Sequence, residues 1–319
     1  MNKEIYHNAL SLEKAASLTN QLPVLPYNDH PLFAKGEKQS AGAPLEPIRV
    51  FDHVWWAGSK AVGSIIIDTG DGLILIDTGS NSLEAEWIAK SIEKIGLNPA
   101  DIRLIVISHE HFDHYGGLSY FKEKICPEAY VAFSRTGWNL LQTAPTEFAY
   151  IGPRPEHVDI FLEDGLCLKV GNTNLYCTAT PGHSPGCMSF IFNDSYQGRE
   201  INVGMMGGSA VWPDLPEIRL YQNSVEYFKL FTDKAECDAF TAVHQKKETL
   251  DQVKESWNGK VPHPWLCTKE TFDSACLDEF RTLVRTVLKS HEIQTYKMFA
   301  GPDQPLHDEG SPVAEWNQK

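Results

Sequence analysis

The chain has no C-x-x-C pair, no long apolar run and no excess of basic charge. Its seven cysteines are scattered at Cys126, Cys167, Cys177, Cys187, Cys237, Cys267 and Cys276. An odd count without tight spacing suits reduced thiols in a cytoplasmic protein. Cys177 and Cys237 sit in apolar runs and are expected in the core. No stretch approaches the ~20 apolar residues of a membrane span, so no membrane association is expected. The start, M-N-K-E-I-Y-H-N-A-L-S-L-E-K-A-A-S-L, is interrupted by Glu4 and Glu13 and lacks a secretion signal's apolar segment. With 28 Lys+Arg against 42 Asp+Glu the formal net charge is −14. That field repels phosphate backbones, so nucleic acid is not an expected partner.

What is present suits a large globular body. The 319 residues are 42% hydrophobic and 11% aromatic, enough to bury a core. Residues 1–47, with helical character near the start and then a Pro-, Gly- and Ala-containing stretch, read as an arm on the surface. From 48 the pattern becomes strand-like. S-I-I-I-D-T-G-D-G-L-I-L-I-D-T-G is two apolar runs joined at Gly70-Asp71-Gly72, a hairpin signal. A helix is expected over roughly 81–96, from the spacing of Leu83, Trp87, Ile88, Ile92 and Ile95, capped by Asn81 or Ser82. I-R-L-I-V-I is a buried-looking strand that ends at Ser108-His109. A second cycle of strands and helices follows, with strands ending just before His183 and His244 and helices around 222–235, 246–257 and 271–290. Two sets of strands, each followed by helices, predict two sheets packed face to face with helices outside. The body is read as 48–258, and 259–319 as a C-terminal helical extension packed on it. No internal repeat is evident.

The chemistry concentrates in S-H-E-H-F-D-H-Y-G-G, residues 108–117. In a helix, positions 109 and 111 would point about 200° apart. The cluster therefore belongs on irregular backbone at a strand end, with Gly116-Gly117 turning the chain into the next helix. It is not the H-E-x-x-H pattern of zinc proteases. Three imidazoles and a carboxylate suit Zn²⁺ or another borderline metal. Four groups this close predict two adjacent ions, each completed by distant ligands. Of the other histidines, His183 in T-P-G-H-S-P-G and His244 in A-F-T-A-V-H-Q follow strands directly. His263, in V-P-H-P-W, is the rival to His244, and His53 lies inside a strand pattern.

These features resemble the metallo-β-lactamase superfamily. The H-x-H-x-D-H motif is His109, His111, Asp113 and His114. The G-H-S-P-G turn surrounds His183, and the I-D-T-G turn runs from Asp77 to Gly79. The similarity spans roughly 48–250. It implies an αββα sandwich with a binuclear zinc site: His109, His111 and His183 on one ion, Asp113, His114 and His244 on the other. Asp77 would lie behind the ligands and fix their loop. Thioesterases and lactonases of the superfamily usually carry a metal-bridging aspartate in a G-D segment. Here that stretch reads V-G-M-M-G-G-S-A, with Ser209 in its place. This resembles the β-lactamase subclass whose ligands are five histidines and one aspartate, although T-A-V-H-Q departs from that subclass's usual T-P-H-P.

The function expected is a di-zinc hydrolase that uses a metal-activated water to open a cyclic amide, with Asp113 orienting the attack. The alternatives are a lactone or thioester hydrolase with the same site, and a di-iron oxidoreductase, a family that usually has a Glu in the cluster. Ser108 and Ser184 read as turn residues. Ser209, Phe148, Tyr150 and Trp56 are the candidate contacts to a small-molecule substrate. The arm is read as covering the cleft or packing on a second subunit, which would make a homo-oligomer.

Overall fold

Ile65, Ile67, Ile74, Ile76, Leu104 and Val106 face one buried layer, while the residues between them, Ile66, Leu75 and Ile105, face another. Strands with no polar face must be covered on both sides. The structure, a computed structural model, describes residues 4–20, 42–60, 62–143, 158–211 and 215–300, and the side chains of these up to 290, Thr143 excepted. Its strands are β1 (Leu10–Ser11), β2 (Pro44–Arg49), β3 (Val54–Ser59), β4 (Gly63–Asp68), β5 (Leu73–Ile76), β6 (Ile102–Ile107), β7 (Tyr130–Ser134), β8 (Ile160–Leu162), β9 (Cys167–Val170), β10 (Thr173–Ala179), β11 (Met188–Tyr196), β12 (Arg199–Met205) and β13 (Ala239–Thr241). Its helices are α1 (Leu12–Thr19), α2 (Ser82–Lys94), α3 (Phe112–Tyr115), α4 (Leu118–Tyr120), α5 (Arg135–Thr143), α6 (Leu215–Lys234), α7 (Lys247–Ser256) and α8 (Asp278–Ala300).

One sheet has seven strands in the order β2-β3-β4-β5-β6-β7-β8, the other six in the order β1-β9-β10-β11-β12-β13. Both are mixed: β5, β6, β7 and β8 run parallel, and β13 runs parallel to β12. The inner faces meet in one core, with Trp56, Ile65, Ile76 and Val106 against Leu175, Phe190, Phe192 and Val203. Outside the first sheet, Ala85, Ile88 and Ile92 of α2 and Leu118 of α4 cover Ile66, Leu75 and Ile105. Outside the second, Tyr221, Val225 and Phe228 of α6 and Val284 of α8 cover Tyr176 and Ile191. This is the expected αββα sandwich.

Several elements differ from expectation for identifiable reasons. Part of the N-terminal arm is built into the sandwich. Leu10 pairs with Leu168 in β9, Leu12 and Ala15 of α1 are in the inner core, and Thr19 Oγ1 accepts the Phe161 amide at 2.8 Å. Pro44 and Pro47 lie in edge strand β2, where a missing N–H is tolerated. Helix α6 begins at Leu215 rather than near 222, because Pro216 is compatible with a first helical turn. The helix expected after Gly116-Gly117 is a single turn, α4, followed by a π turn at Phe121–Ile125, and a further turn, α3, precedes the glycines. Among the described residues, no helix is long and apolar enough to cross a membrane.

Candidate metal centre

Five strands of the two sheets end at one edge of the sandwich. β5 leads into Asp77, β6 into Ser108–His111, β10 into the turn with His183, β12 into Met206–Ala210, and β13 into His244. Two backbone bonds cross between the sheets here: the Met188 amide donates to Ser108 O at 2.9 Å, and the Gly63 amide to Val243 O at 3.0 Å. The loops are thus mounted on rigid strand ends.

Asp77 organises the first of them. It adopts a left-handed φ of 63°, which Asp tolerates better than most residues. Its Oδ1 accepts the Ser108 amide at 2.8 Å, and its Oδ2 accepts Ser108 Oγ at 2.8 Å and His114 Nδ1 at 2.7 Å. Thr78 then donates its amide and its hydroxyl to His114 O. Gly116 and Gly117 have ordinary negative φ values of −60° and −89°, so they are not needed for an unusual turn. They are needed for close approach: a Cβ at Gly116 would lie 2.0 Å from Ser80 O, and one at Gly117 2.2 Å from Thr78 O.

Two groups of ligand-type side chains result, His109 with His111 and His183, and Asp113 with His114 and His244. Within each, the donor atoms all lie within 4.8 Å of one another. His109 Nε2 is 3.0 Å from His111 Nδ1 and 3.1 Å from His183 Nε2. His244 Nε2 is 3.2 Å from His114 Nε2, and Asp113 Oδ2 is 3.4 Å and 3.6 Å from those two nitrogens. The tautomers follow from the outer partners. Ala210 O can only accept, so His183 Nδ1 donates to it at 2.8 Å, and its Nε2 faces the group as a lone pair. The Asp77 carboxylate does the same for His114.

This donor set fits a first-row cation. Tetrahedral zinc, at about 2.0–2.1 Å per nitrogen, would place ligand nitrogens ~3.3 Å apart. Burial pushes His109 far below the ordinary imidazole range, His111 down to about 3 and His183 down to about 4. All three are therefore neutral at neutral pH, as ligation requires. For His114, burial pushes the pKa down, but Asp77 and Asp113 outweigh it and the net shift is upward. For Asp113, burial pushes the carboxyl up, and His114, His244 and His111 together bring it below its ordinary value. His109 and His114 are fully buried, whereas the His244 and Asp113 side chains are 34% and 24% exposed. The second group is the side open to solvent.

Other sequence candidates fall elsewhere. Trp56 is 1% exposed in the inner core, so it does not line an open cleft; its Nε1 donates to Val243 O at 3.2 Å, behind His244. Ser209 is exposed, next to Gly208, whose missing Cβ leaves room for the His183 ring 2.5 Å away. Phe148 and Tyr150 lie outside the described residues. His263 is not in either group: its Nε2 donates to Val50 O at 2.9 Å and its ring stacks on Phe51. His53 pairs with Asp194 at 2.8 Å. Glu110 is the Glu that the di-iron alternative would place in the cluster, and sequence reasoning gave it no other role. It is 2% exposed and accepts Ser184 Oγ at 3.0 Å and the Gly186 amide at 3.0 Å. Its only sequence signal is a charged residue between two ligands, which does not say which way it points.

Comparison with known proteins agrees with this geometry. Residues 60–195 match the metallo-beta-lactamase superfamily. A probable metallo-hydrolase of Mycobacterium bovis is 34% identical over 79 residues, which is 18% of this chain and 26% of that protein. A hydroxyacylglutathione hydrolase of Haemophilus influenzae is 27% identical over 151 residues, 46% of this chain and 67% of that protein. The sequence match thus spans about a quarter of the first relative. A subclass B3 metallo-beta-lactamase of Bradyrhizobium japonicum superposes with a TM-score of 0.63 at 22% identity, covering 81% of this chain and 97% of that one.

Proposed function

From the premise that the chain carries a metallo-beta-lactamase superfamily domain, we propose that it is a binuclear zinc hydrolase that opens a cyclic amide, β-lactam-like in its chemistry. The observation that carries the reading is the make-up of the two groups, five histidines and one aspartate; the resemblance would put Ser209, which is exposed, where a bridging aspartate stands in the thioesterases and lactonases. The fold shared with the Bradyrhizobium japonicum β-lactamase supports it.

His109, His111 and His183 would hold one ion, and Asp113, His114 and His244 the other. Ions bound there lower the pKa of water and polarise a carbonyl oxygen. The chain's own contribution is placement and the choice of tautomer. Asp77 holds His114 in one tautomer, and Ala210 O does so for His183. Asp113 is the single carboxylate of the two groups; its lowered pKa keeps it ionised at neutral pH, fit to orient a water through a carboxylate oxygen. Because Asp113 and His244 are the exposed members, substrate approaches from their side.

A second reading, a thioester or lactone hydrolase, draws support from the Haemophilus influenzae relative. The di-iron reading is weakened by Glu110, whose carboxylate turns to Ser184 and Gly186 and joins neither group. Elemental analysis of the purified protein is expected to give two zinc ions per chain. A panel of β-lactams, lactones and thioesters is expected to show fastest turnover on a cyclic amide. An iron pair, or turnover confined to thioesters, would overturn the first reading.

A further inference from the structure

Glu110 occupies a niche that the fold makes for it. The residue is 2% exposed. Its Oε2 accepts Ser184 Oγ and its Oε1 accepts the Gly186 amide. Two glycines from different elements make the space. A Cβ at Gly186 would lie 2.5 Å from Glu110 Oε2 and 2.4 Å from Gly137 Cα, and one at Gly137 3.0 Å from Glu110 Oε2. Gly137 is itself held by its amide donating to Ser134 Oγ at 2.9 Å.

The two contacts of Glu110 therefore join the loop that carries His109 and His111 to the turn that carries His183, 74 positions away. These are the two loops that make up the three-histidine group, and that group has no carboxylate of its own. A cation there would be held by neutral imidazoles alone, in an interior of low dielectric where an anionic group nearby is strongly favourable.

We propose that Glu110 is a positioning residue for the first metal site: an anionic clasp that fixes His183 against His109 and His111 and offsets the charge of the ion they hold. This deepens the binuclear reading and rests on it. The second group has a carboxylate of its own, Asp113, and its His114 is held by Asp77, so the clasp is expected to matter less there.

The test is a cobalt(II) titration of metal-free wild type and Glu110→Gln, following the visible absorption bands of the two sites, with thermal melting of both metal-free proteins. Gln keeps the size but can accept at only one atom. The expected result is a loss of roughly 10–100-fold in affinity at one site, as for other partners behind metal ligands, with the second site changed less than about threefold. Ser184→Ala, which removes one donor and leaves the carboxylate in place, is expected to show a smaller loss at the same site and serves if Glu110→Gln does not fold. Equal weakening of both sites in step with a lower melting temperature, or unchanged affinity, overturns the clasp. Wild type that binds no cobalt or zinc overturns the binuclear reading instead, so the two failures are distinguishable.

Discussion

Nδ1 of His114 donates to Oδ2 of Asp77 across 2.7 Å, with both side chains sealed from solvent. The same oxygen accepts Ser108 Oγ, and the other carboxylate oxygen accepts the Ser108 amide. One buried carboxylate thus fixes both the start and the end of the segment from Ser108 to His114. Asp77→Ala is expected to lower the stability of the metal-free protein by roughly 3–5 kcal/mol, because it leaves the buried partners unpaired. Denaturant unfolding measures it; a loss under about 1 kcal/mol would show that the loop holds without Asp77.

His244 and His263 are separable by metal content. His244 Nε2 lies 3.2 Å from His114 Nε2, while both ring nitrogens of His263 are taken up, by Val50 O and the Trp265 amide. His244→Ala is expected to bind one metal ion fewer per chain, and His263→Ala the full complement with reduced stability. Loss of metal from the His263 variant would mean that the ligand set is wrongly drawn.

His263 also predicts a pH dependence. Burial pushes its pKa down to about 4, against about 6.5 when unfolded. Between those values the unfolded chain binds the extra proton, so stability contributed by His263 is present above about pH 6.5 and lost as pH falls towards 4. The metal-free protein should melt at lower temperature across that window, and His263→Gln should show a shallower decline. His183 and His111, shifted in the same direction, leave part of the slope in the variant. Equal slopes in the two proteins would remove His263 from the account.

Trp56 supports His244 from behind. Val243 O accepts both the indole N–H and the Gly63 amide, and a Cβ at Gly63 would lie 2.2 Å from the indole ring. Trp56→Phe removes one of these bonds and some buried surface, at a cost of about 1–2 kcal/mol. It should also weaken the second metal site several-fold while leaving the first intact. Calorimetric metal titration would show whether the weakening is confined in this way.

Much was legible in the sequence because it is local. Alternating apolar runs with no polar face specify strands covered on both sides, and Gly70-Asp71-Gly72 specifies the hairpin between β4 and β5. The non-helical spacing of His109 and His111 specifies irregular backbone at the strand end, but Asp113 and His114, expected on the same loop, fall in the short helix α3. Strand ends pointed to His183 and His244. The tertiary structure alone decided what depends on stacking one sheet over the other. It brings His183 to His109 across 74 positions and His244 to His114 across 130. It also puts Trp56 behind Val243 and His244 rather than at an open cleft, and turns Glu110 into a niche between two glycines. A charge between two histidines reads the same in the sequence whether it faces metal, water or a neighbouring loop. Its direction is set by which backbone N–H and hydroxyl lie within hydrogen-bond reach, and those belong to residues the fold brings from far along the chain.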